Sequence, residues 1–377
     1  MTLYPETYSE SRSRFLAQVD GIRSRWPRVS LSQHALSFDP ALTIDWIAAP
    51  AVKTQHNIVI FSIGEHGVEG YVGSAMQQVF INEFLPSLNP DDTGLLFIHA
   101  INPWGMENRE RNNNNNIDLN RNFITNDQFD TTFNPTYDQL RSLIVPQRRI
   151  DSMAFETLRF FASVIGAIVK HGIPAIREGT LMGQYRHPRG VYFGGQTVQE
   201  ETVLLMGLFE QAMADYQNIV HLDMHTGYGP RYQMSLVNSP LDERSSAESS
   251  AHFNYPLVVK TNPEEFYTIK GDMIKFEYEL RNQKFPDKTL YATAFEFGTF
   301  GDALPALIRS LRAEVFDNQL KNFGAKNKVV ASQIRREFCE LFYPDEARWR
   351  EKALTDARLA IRGILKAMIP SAIMAQR

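Results

Sequence analysis

Cysteine is almost missing from this chain: Cys339 is the only one in 377 residues. No disulfide can form within the chain, and a thiolate-rich structural metal site is excluded. An excess of one charge is missing too. The formal net charge is −4, which speaks against a dedicated nucleic-acid binder, since such domains carry a strong basic excess. No apolar run approaches the roughly 18 residues that span a bilayer. The most apolar helical stretch, Phe160 to Val169, is short and flanked by Arg159 and Lys170, so it reads as a buried core helix. The N-terminus, Met1-Thr2-Leu3-Tyr4-Pro5-Glu6, lacks a basic region followed by an apolar one. The expectation is a cytoplasmic protein with neither nucleic acid nor membrane as partner. Internal repeats and long Pro/Gly/Ser linkers are also absent, and the one low-complexity tract, Asn112 to Asn116, reads as a polar loop.

What is present is a globular composition, with 43% hydrophobic and 22% charged residues, enough for a sizeable core. Short apolar runs predict strands at Asn57 to Ile63, Gly94 to Ala100, Ile219 to Met224 and Leu290 to Phe297, with weaker ones at Gln233 to Val237 and Leu257 to Lys260. Helices are predicted over Tyr8 to Arg25, Val68 to Phe84, Ser152 to Lys170, Thr197 to Tyr216, Ala303 to Leu320 and Asp345 to Met368. The fourth opens on Thr197-Val198-Gln199-Glu200, a capping-box pattern. Strands alternating with helices predict an α/β fold: a mixed, mostly parallel twisted sheet flanked by helices. We expect one domain over 1–377, its motif-bearing core at about 55–300, with helical extensions at both ends. Sites in such sheets lie just beyond strand ends.

Four segments carry chemistry. The first predicted strand runs into Gly64-Glu65-His66-Gly67-Val68-Glu69-Gly70. A His and a Glu three residues apart on a Gly-rich turn can converge on one metal ion. The second is Ile219-Val220-His221-Leu222-Asp223-Met224-His225-Thr226-Gly227. Alternation puts His221, Asp223 and His225 on one face; His225 at the strand end suits a third ligand, and His221, deeper, suits a satisfied core histidine. Two His and one Glu leave tetrahedral zinc an open position, the catalytic pattern. The third runs from Arg109-Glu110-Arg111 past the Asn tract to Asp118-Leu119-Asn120-Arg121-Asn122-Phe123. Arginine forks can grip a carboxylate or stabilise an oxyanion, although on these residues alone a solvated loop with incidental charges is the favoured reading. The fourth is Ala294-Phe295-Glu296-Phe297-Gly298. A carboxylate late in an apolar strand is costly to bury but useful beside an activated water as general base and then acid.

In this order, the four segments resemble the carboxypeptidase A-type zinc metallopeptidase superfamily, which includes aspartoacylase and succinylglutamate desuccinylase. The Gly-x-His-Gly-x-Glu form is similar to that amidohydrolase branch and its bacterial relatives. The resemblance implies a zinc carboxypeptidase-like fold, with Zn2+ held by His66, Glu69 and His225. It implies Asp118 as the group orienting His66, Asn120 and Arg121 on a substrate carboxylate, Arg111 on the scissile carbonyl with Arg109 as second choice, and Glu296 as base. The superfamily's substrate-closing tyrosine has three candidates here: Tyr228, Tyr267 and Tyr291. Residues Gly183 to Pro188 read either as a substrate loop or as an ordinary turn. The implied activity is zinc-dependent hydrolysis of an amide bond next to a free carboxylate, in a small peptide or in an N-acyl amino acid. A non-catalytic binding protein that kept the fold is the reading outside enzymes.

Overall fold

The computed structural model describes residues 3–125, 128–261 and 269–372. One eight-stranded sheet runs through it. Its strands are β1 (Ser30–Leu36), β2 (Asp39–Ala49), β3 (Asn57–Ile63), β4 (Thr93–His99), β5 (Asn218–Thr226), β6 (Met234–Asn238), β7 (Val258–Lys260) and β8 (Thr289–Phe297), in the order β1-β2-β4-β3-β5-β8-β6-β7. Four of the seven pairings are parallel: β3 with β4, β3 with β5, β5 with β8, and β6 with β7. The other three are antiparallel. The sheet is therefore mixed and mostly parallel, as the alternation of strands and helices predicts.

The helices are α1 (Tyr8–Leu16), α2 (Gln18–Arg23), α3 (Gly70–Val79), α4 (Pro103–Asn108), α5 (Pro135–Ile144), α6 (Met153–Leu181), α7 (Glu200–Asp215), α8 (Ser246–Phe253), α9 (Met273–Lys284), α10 (Leu304–Phe323), α11 (Lys328–Phe342) and α12 (Ala347–Met368). Among the described residues none is long and apolar enough to cross a membrane. Strands β3, β4 and β5 are buried along their whole length, which is why β3 and β4 read as near-continuous apolar runs: a strand covered on both faces has no solvent-facing polar side. The covering layers include α3, whose Val72, Ala75, Met76 and Val79 are buried, and α12, whose Ala357, Ala360, Ile361, Ile364 and Leu365 are buried at helical spacing.

Several elements differ from the expectation. The sheet begins at Ser30, earlier than the apolar runs indicate, because edge strand β1 is largely exposed and carries no apolar signal. The predicted N-terminal helix is two helices, and its inward face (Tyr8, Ser11, Phe15, Val19, Ile22) is buried. The capping box does not form: α7 starts at Glu200 behind Gln199, with no side-chain cap. The Glu200 carboxylate instead accepts from the Ser37 amide (3.1 Å) and hydroxyl (2.7 Å) and meets His34, a longer-range set of partners that outbids the local one. Helix α6 continues to Leu181, through a break at Gly172 with Pro174 just beyond.

A second apolar cluster stands apart from the main core. It joins α5, α6, α10 and α11 through Leu140, Ile144, Phe160, Val164, Phe316 and Ile334. Phe160 and Phe316 meet edge to face, with centroids 5.8 Å apart. These helices form a cap beside the C-terminal ends of the central strands.

Candidate metal centre

Three adjacent parallel strands, β3, β5 and β8, end side by side, and each delivers part of the site. The turn after β3 carries His66 and Glu69. Its tightness rests on Gly67: a Cβ there would lie 2.1 Å from the carbonyl carbon of Gly105. His225 is the penultimate residue of β5, Glu296 that of β8, and the two are register partners across the parallel pair. Asp118 and Arg121 come from the loop after α4. His66, Glu69 and His225 are all buried.

The donor atoms converge. His66 Nδ1 lies 2.9 Å from Glu69 Oε1, His225 Nδ1 lies 3.4 Å from Glu69 Oε2, and the two Nδ1 atoms are 3.3 Å apart. Ligands about 2.0–2.1 Å from a tetrahedral zinc are about 3.3–3.4 Å from one another, so the triangle has the size such an ion needs. The tautomers also suit. His66 Nε2 is 3.0 Å from Asp118 Oδ1 and His225 Nε2 is 2.5 Å from Asp223 Oδ2. A carboxylate accepts, so each Nε2 carries a hydrogen, which leaves Nδ1 as the atom a metal ion would take from each ring. Burial alone would raise Glu69, but the two histidines hold it down at about 2. The Thr226 amide donates to its Oε2 at 2.7 Å.

Glu65 is a residue the motif reading passed over. With His66 and His225 it forms a cluster close enough for one ion. Its contact is to His225 Nε2 at 3.3 Å, the nitrogen already facing Asp223. Neither Glu65 oxygen has a hydrogen-bond partner among the described residues. Burial, with Asp223, Asp272 and Asp118 nearby, pushes its carboxyl well up. The Glu69 set is the better metal cage, because its atoms are the ones facing the free lone pairs. No signal in the sequence separates Glu65 from an ordinary turn residue.

Behind His225 runs a buried line of hydrogen bonds. Ser62 Oγ donates to Asp223 Oδ1 at 2.5 Å and meets His221 Nε2 at 2.7 Å, and His221 Nδ1 lies 2.6 Å from Glu277 Oε1 on α9. His221 is thus the satisfied core histidine its depth in the strand predicts. Against the cost of burial, the Glu277 carboxylate raises it.

Arg111, Asn120, Arg121, Tyr228 and Glu296 line one cavity of about 420 Å3 together with the three metal-cage residues. Arg111 pairs with Asp118 and lies over the Tyr192 ring. Burial would raise Asp118, but Arg111 and Arg121 hold it well below the usual carboxylate range. Glu296 accepts from the Tyr228 amide at 2.9 Å. Burial and the neighbouring Glu69 charge push it up to about 8. Arg121 is buried, donating to the carbonyls of Asn120 and Leu181 at 2.8 Å each, while its Nε has no partner among the described residues. Asn120 Oδ1 accepts from the Met273 amide at 3.0 Å.

Arg109 is elsewhere: it donates to the carbonyl of Glu6 and lies over Tyr71. The segment Gly183 to Pro188 lies behind Arg121. Tyr185 donates to the Arg121 carbonyl at 2.8 Å, and Gly183, at φ +85°, has no room for a Cβ, which would sit 2.6 Å from Arg121 Cδ. Of the tyrosines, Tyr291 is buried against Asn238, Tyr228 is at the cavity with its hydroxyl accepting from Arg177 at 2.7 Å, and Tyr267 falls outside the described residues.

No curated protein matches this chain. Solved structures similar to it include bovine thrombin-activatable fibrinolysis inhibitor in complex with tick carboxypeptidase inhibitor (12% identity, TM-score 0.44, covering 86% of this chain and 96% of that one). Carboxypeptidase A from Helicoverpa armigera is similar at 11% identity and TM-score 0.46, covering 89% and 76%. A succinylglutamate desuccinylase/aspartoacylase from Rhodobacter sphaeroides is similar at 14% and 0.38, covering 79% and 65%. These likenesses carry no assignment of activity. One family model spans residues 4–356, and the chain belongs to that family, described as "Protein of unknown function (DUF2817)".

Proposed function

We propose that the protein is a zinc-dependent hydrolase that cleaves an amide bond next to a free carboxylate in a peptide, in the manner of a metallocarboxypeptidase. The observation that carries the reading is the triangle of His66 Nδ1, Glu69 and His225 Nδ1, with Glu296 as the strand partner of His225. His66, Glu69 and His225 would hold the ion. Zinc, when bound, supplies Lewis acidity, which acidifies water and polarises a carbonyl.

The rest falls to this chain's own side chains. Arg121 and Asn120 bind the substrate carboxylate: the Arg121 guanidinium is buried, with Asp118 no nearer than 3.9 Å, and an incoming anion supplies a direct charge partner. Glu296, whose proton affinity is raised by burial and the neighbouring Glu69 charge, takes a proton from the attacking water and returns it to the leaving amine. Arg111, held in place by Asp118, donates hydrogen bonds to the oxygen on which negative charge develops. Asp118 keeps the His66 ring in position.

A second substrate class uses the same machinery, an N-acyl amino acid. It is favoured by the aliphatic walls that α6 and α10 give to the cavity.

The test compares kcat/KM for a free-acid substrate and its C-terminal amide, with zinc-loaded parent and Arg121→Ala. The parent should prefer the acid by a wide margin, because an amide leaves a buried guanidinium unpaired at a cost on the order of 2–5 kcal/mol. The variant should lose that preference. Equal cleavage of acid and amide by the parent would remove Arg121 from carboxylate binding.

A further inference from the structure

Two helices of the cap enclose the cavity over the metal centre, and their contacts give it a direction. At its C-terminal end α6 touches the carboxylate site, where Arg121 Nη2 donates to the Leu181 carbonyl. One turn earlier, Arg177 reaches Tyr228, whose amide holds Glu296. Further back the cavity-lining residues are Ile176, Ile173 and Ile168. Leu181 to Ile173 is eight residues, about 12 Å of helix, so the aliphatic surface leads away from Arg121 past the base.

Opposite it, α10 presents Leu307, Ile308 and Leu311 to the same space, on one face by their spacing. Leu311 lies three residues before Glu314, which neighbours Arg111. The far opening leaves apolar side chains uncovered: Ile173 is 43% and Leu304 42% exposed.

The hydroxyls within these walls are already engaged. The Thr180 hydroxyl donates to the carbonyl of Ile176 and the Ser310 hydroxyl to that of Ala306, each on its own helix. Away from the break at Gly172, the amides of both helices are bonded internally, as helix interiors are. A peptide continuing along this trough would bury amide groups against largely aliphatic walls that offer few partners, at a cost for each left unpaired. A hydrocarbon chain would lose nothing there and gain from leaving water.

Resting on the amide-hydrolase reading above, we propose that the acyl side of the substrate is an extended aliphatic chain lying between α6 and α10. The preferred substrates are then N-acyl amino acids with medium- or long-chain acyl groups.

The experiment uses zinc-loaded protein and one amino acid carrying acetyl, butanoyl, octanoyl or dodecanoyl groups, with a dipeptide and the dodecanoyl amide alongside. The parent kcat/KM should rise about two- to four-fold per added methylene until the trough is filled, as expected for burying hydrocarbon. Ile308→Asn should cut the dodecanoyl-to-acetyl ratio at least ten-fold. Leu311→Trp, which fills the trough without adding polarity, should move the optimum to a shorter chain. Calorimetric binding of the dodecanoyl and acetyl compounds to Glu296→Gln reads the same preference without turnover, and the dodecanoyl compound should bind more tightly.

A flat or falling series in both rate and binding overturns the proposal, while a persisting preference for acid over amide leaves the broader function standing. Loss of the acid preference with the chain-length rise intact would strike at the broader reading alone. A rise that Ile308→Asn and Leu311→Trp leave unaltered would place the chain outside the trough and overturn the assignment to α6 and α10.

Discussion

Replacing Asp118 by Asn tests the support behind the metal cage. One Asp118 oxygen accepts from His66 Nε2 at 3.0 Å, the other pairs with Arg111, and Arg121 stands 3.9 Å away. An asparagine of the same shape has one acceptor where the aspartate has two. With its oxygen toward His66, its NH2 meets the Arg111 guanidinium; turned round, its NH2 meets the His66 N–H. Either orientation sets two donors face to face in a buried place, and a buried donor left unpaired costs about 1–3 kcal/mol. Loss of a group that orients a metal-binding histidine costs about 10–100-fold in affinity, or about 1.4–2.7 kcal/mol at 1.36 kcal/mol per decade. The two ranges agree. Competition with a chromogenic chelator reads the zinc Kd directly, and circular dichroism checks that the fold is intact. Asn120→Ala, whose side chain faces the cavity and the Met273 amide, serves as the control and should leave the zinc Kd alone. A folded Asp118→Asn protein that binds zinc within two-fold of the parent would refute the reasoning that this carboxylate holds His66 in place.

Three further outcomes are expected. Glu296→Gln should keep full zinc content and lose turnover by about 10²–10⁴-fold; comparable turnover at equal zinc content would acquit Glu296. Gly67→Ala should lower both the melting temperature and zinc affinity, since its Cβ would meet backbone at 2.1 Å; a variant that melts and binds zinc like the parent would show that the turn can yield. His99 is buried, and burial pushes it down to about 3, below the ordinary 6.5 of the unfolded chain. The unfolded state therefore takes the proton first, so stability is fully present above about pH 6.5 and falls as pH drops toward 3. About 2–3 kcal/mol should be lost between pH 7 and pH 4.5 in urea titrations, and the His99→Asn protein should lose less; equal slopes for both would move the acid sensitivity elsewhere.

The residues that meet at the candidate site were legible in the sequence because they sit where apolar runs stop: His66 and Glu69 follow β3 within a few residues, and His225 and Glu296 are the penultimate residues of β5 and β8. Other parts were hidden for identifiable reasons. Strand β1 pairs through its backbone alone and shows exposed side chains, so it leaves no hydrophobic pattern. The second half of α6 lies behind Gly172 and Pro174, residues that end most helices, yet it supplies the wall that meets Arg121. Glu65 differs from a surface glutamate only through Asp223 and Asp272, distant in sequence. Glu200 carried a local capping signal, but Ser37 and His34, far upstream, claimed its carboxylate.

The line of hydrogen bonds from Glu277 to His225 has a consequence for how the sheet is assembled. β3 and β5 are both buried along their whole length, so burial alone would accept more than one alignment of the two strands. A slip by one residue turns every side chain to the other face. Ser62 stands beside Asp223 in the observed alignment, and only there can it serve both Asp223 and His221. The polar seam thus works as a key: a misaligned pair would strand a serine, an aspartate and a histidine in hydrocarbon, and the same match that prevents this carries His225 to within reach of His66.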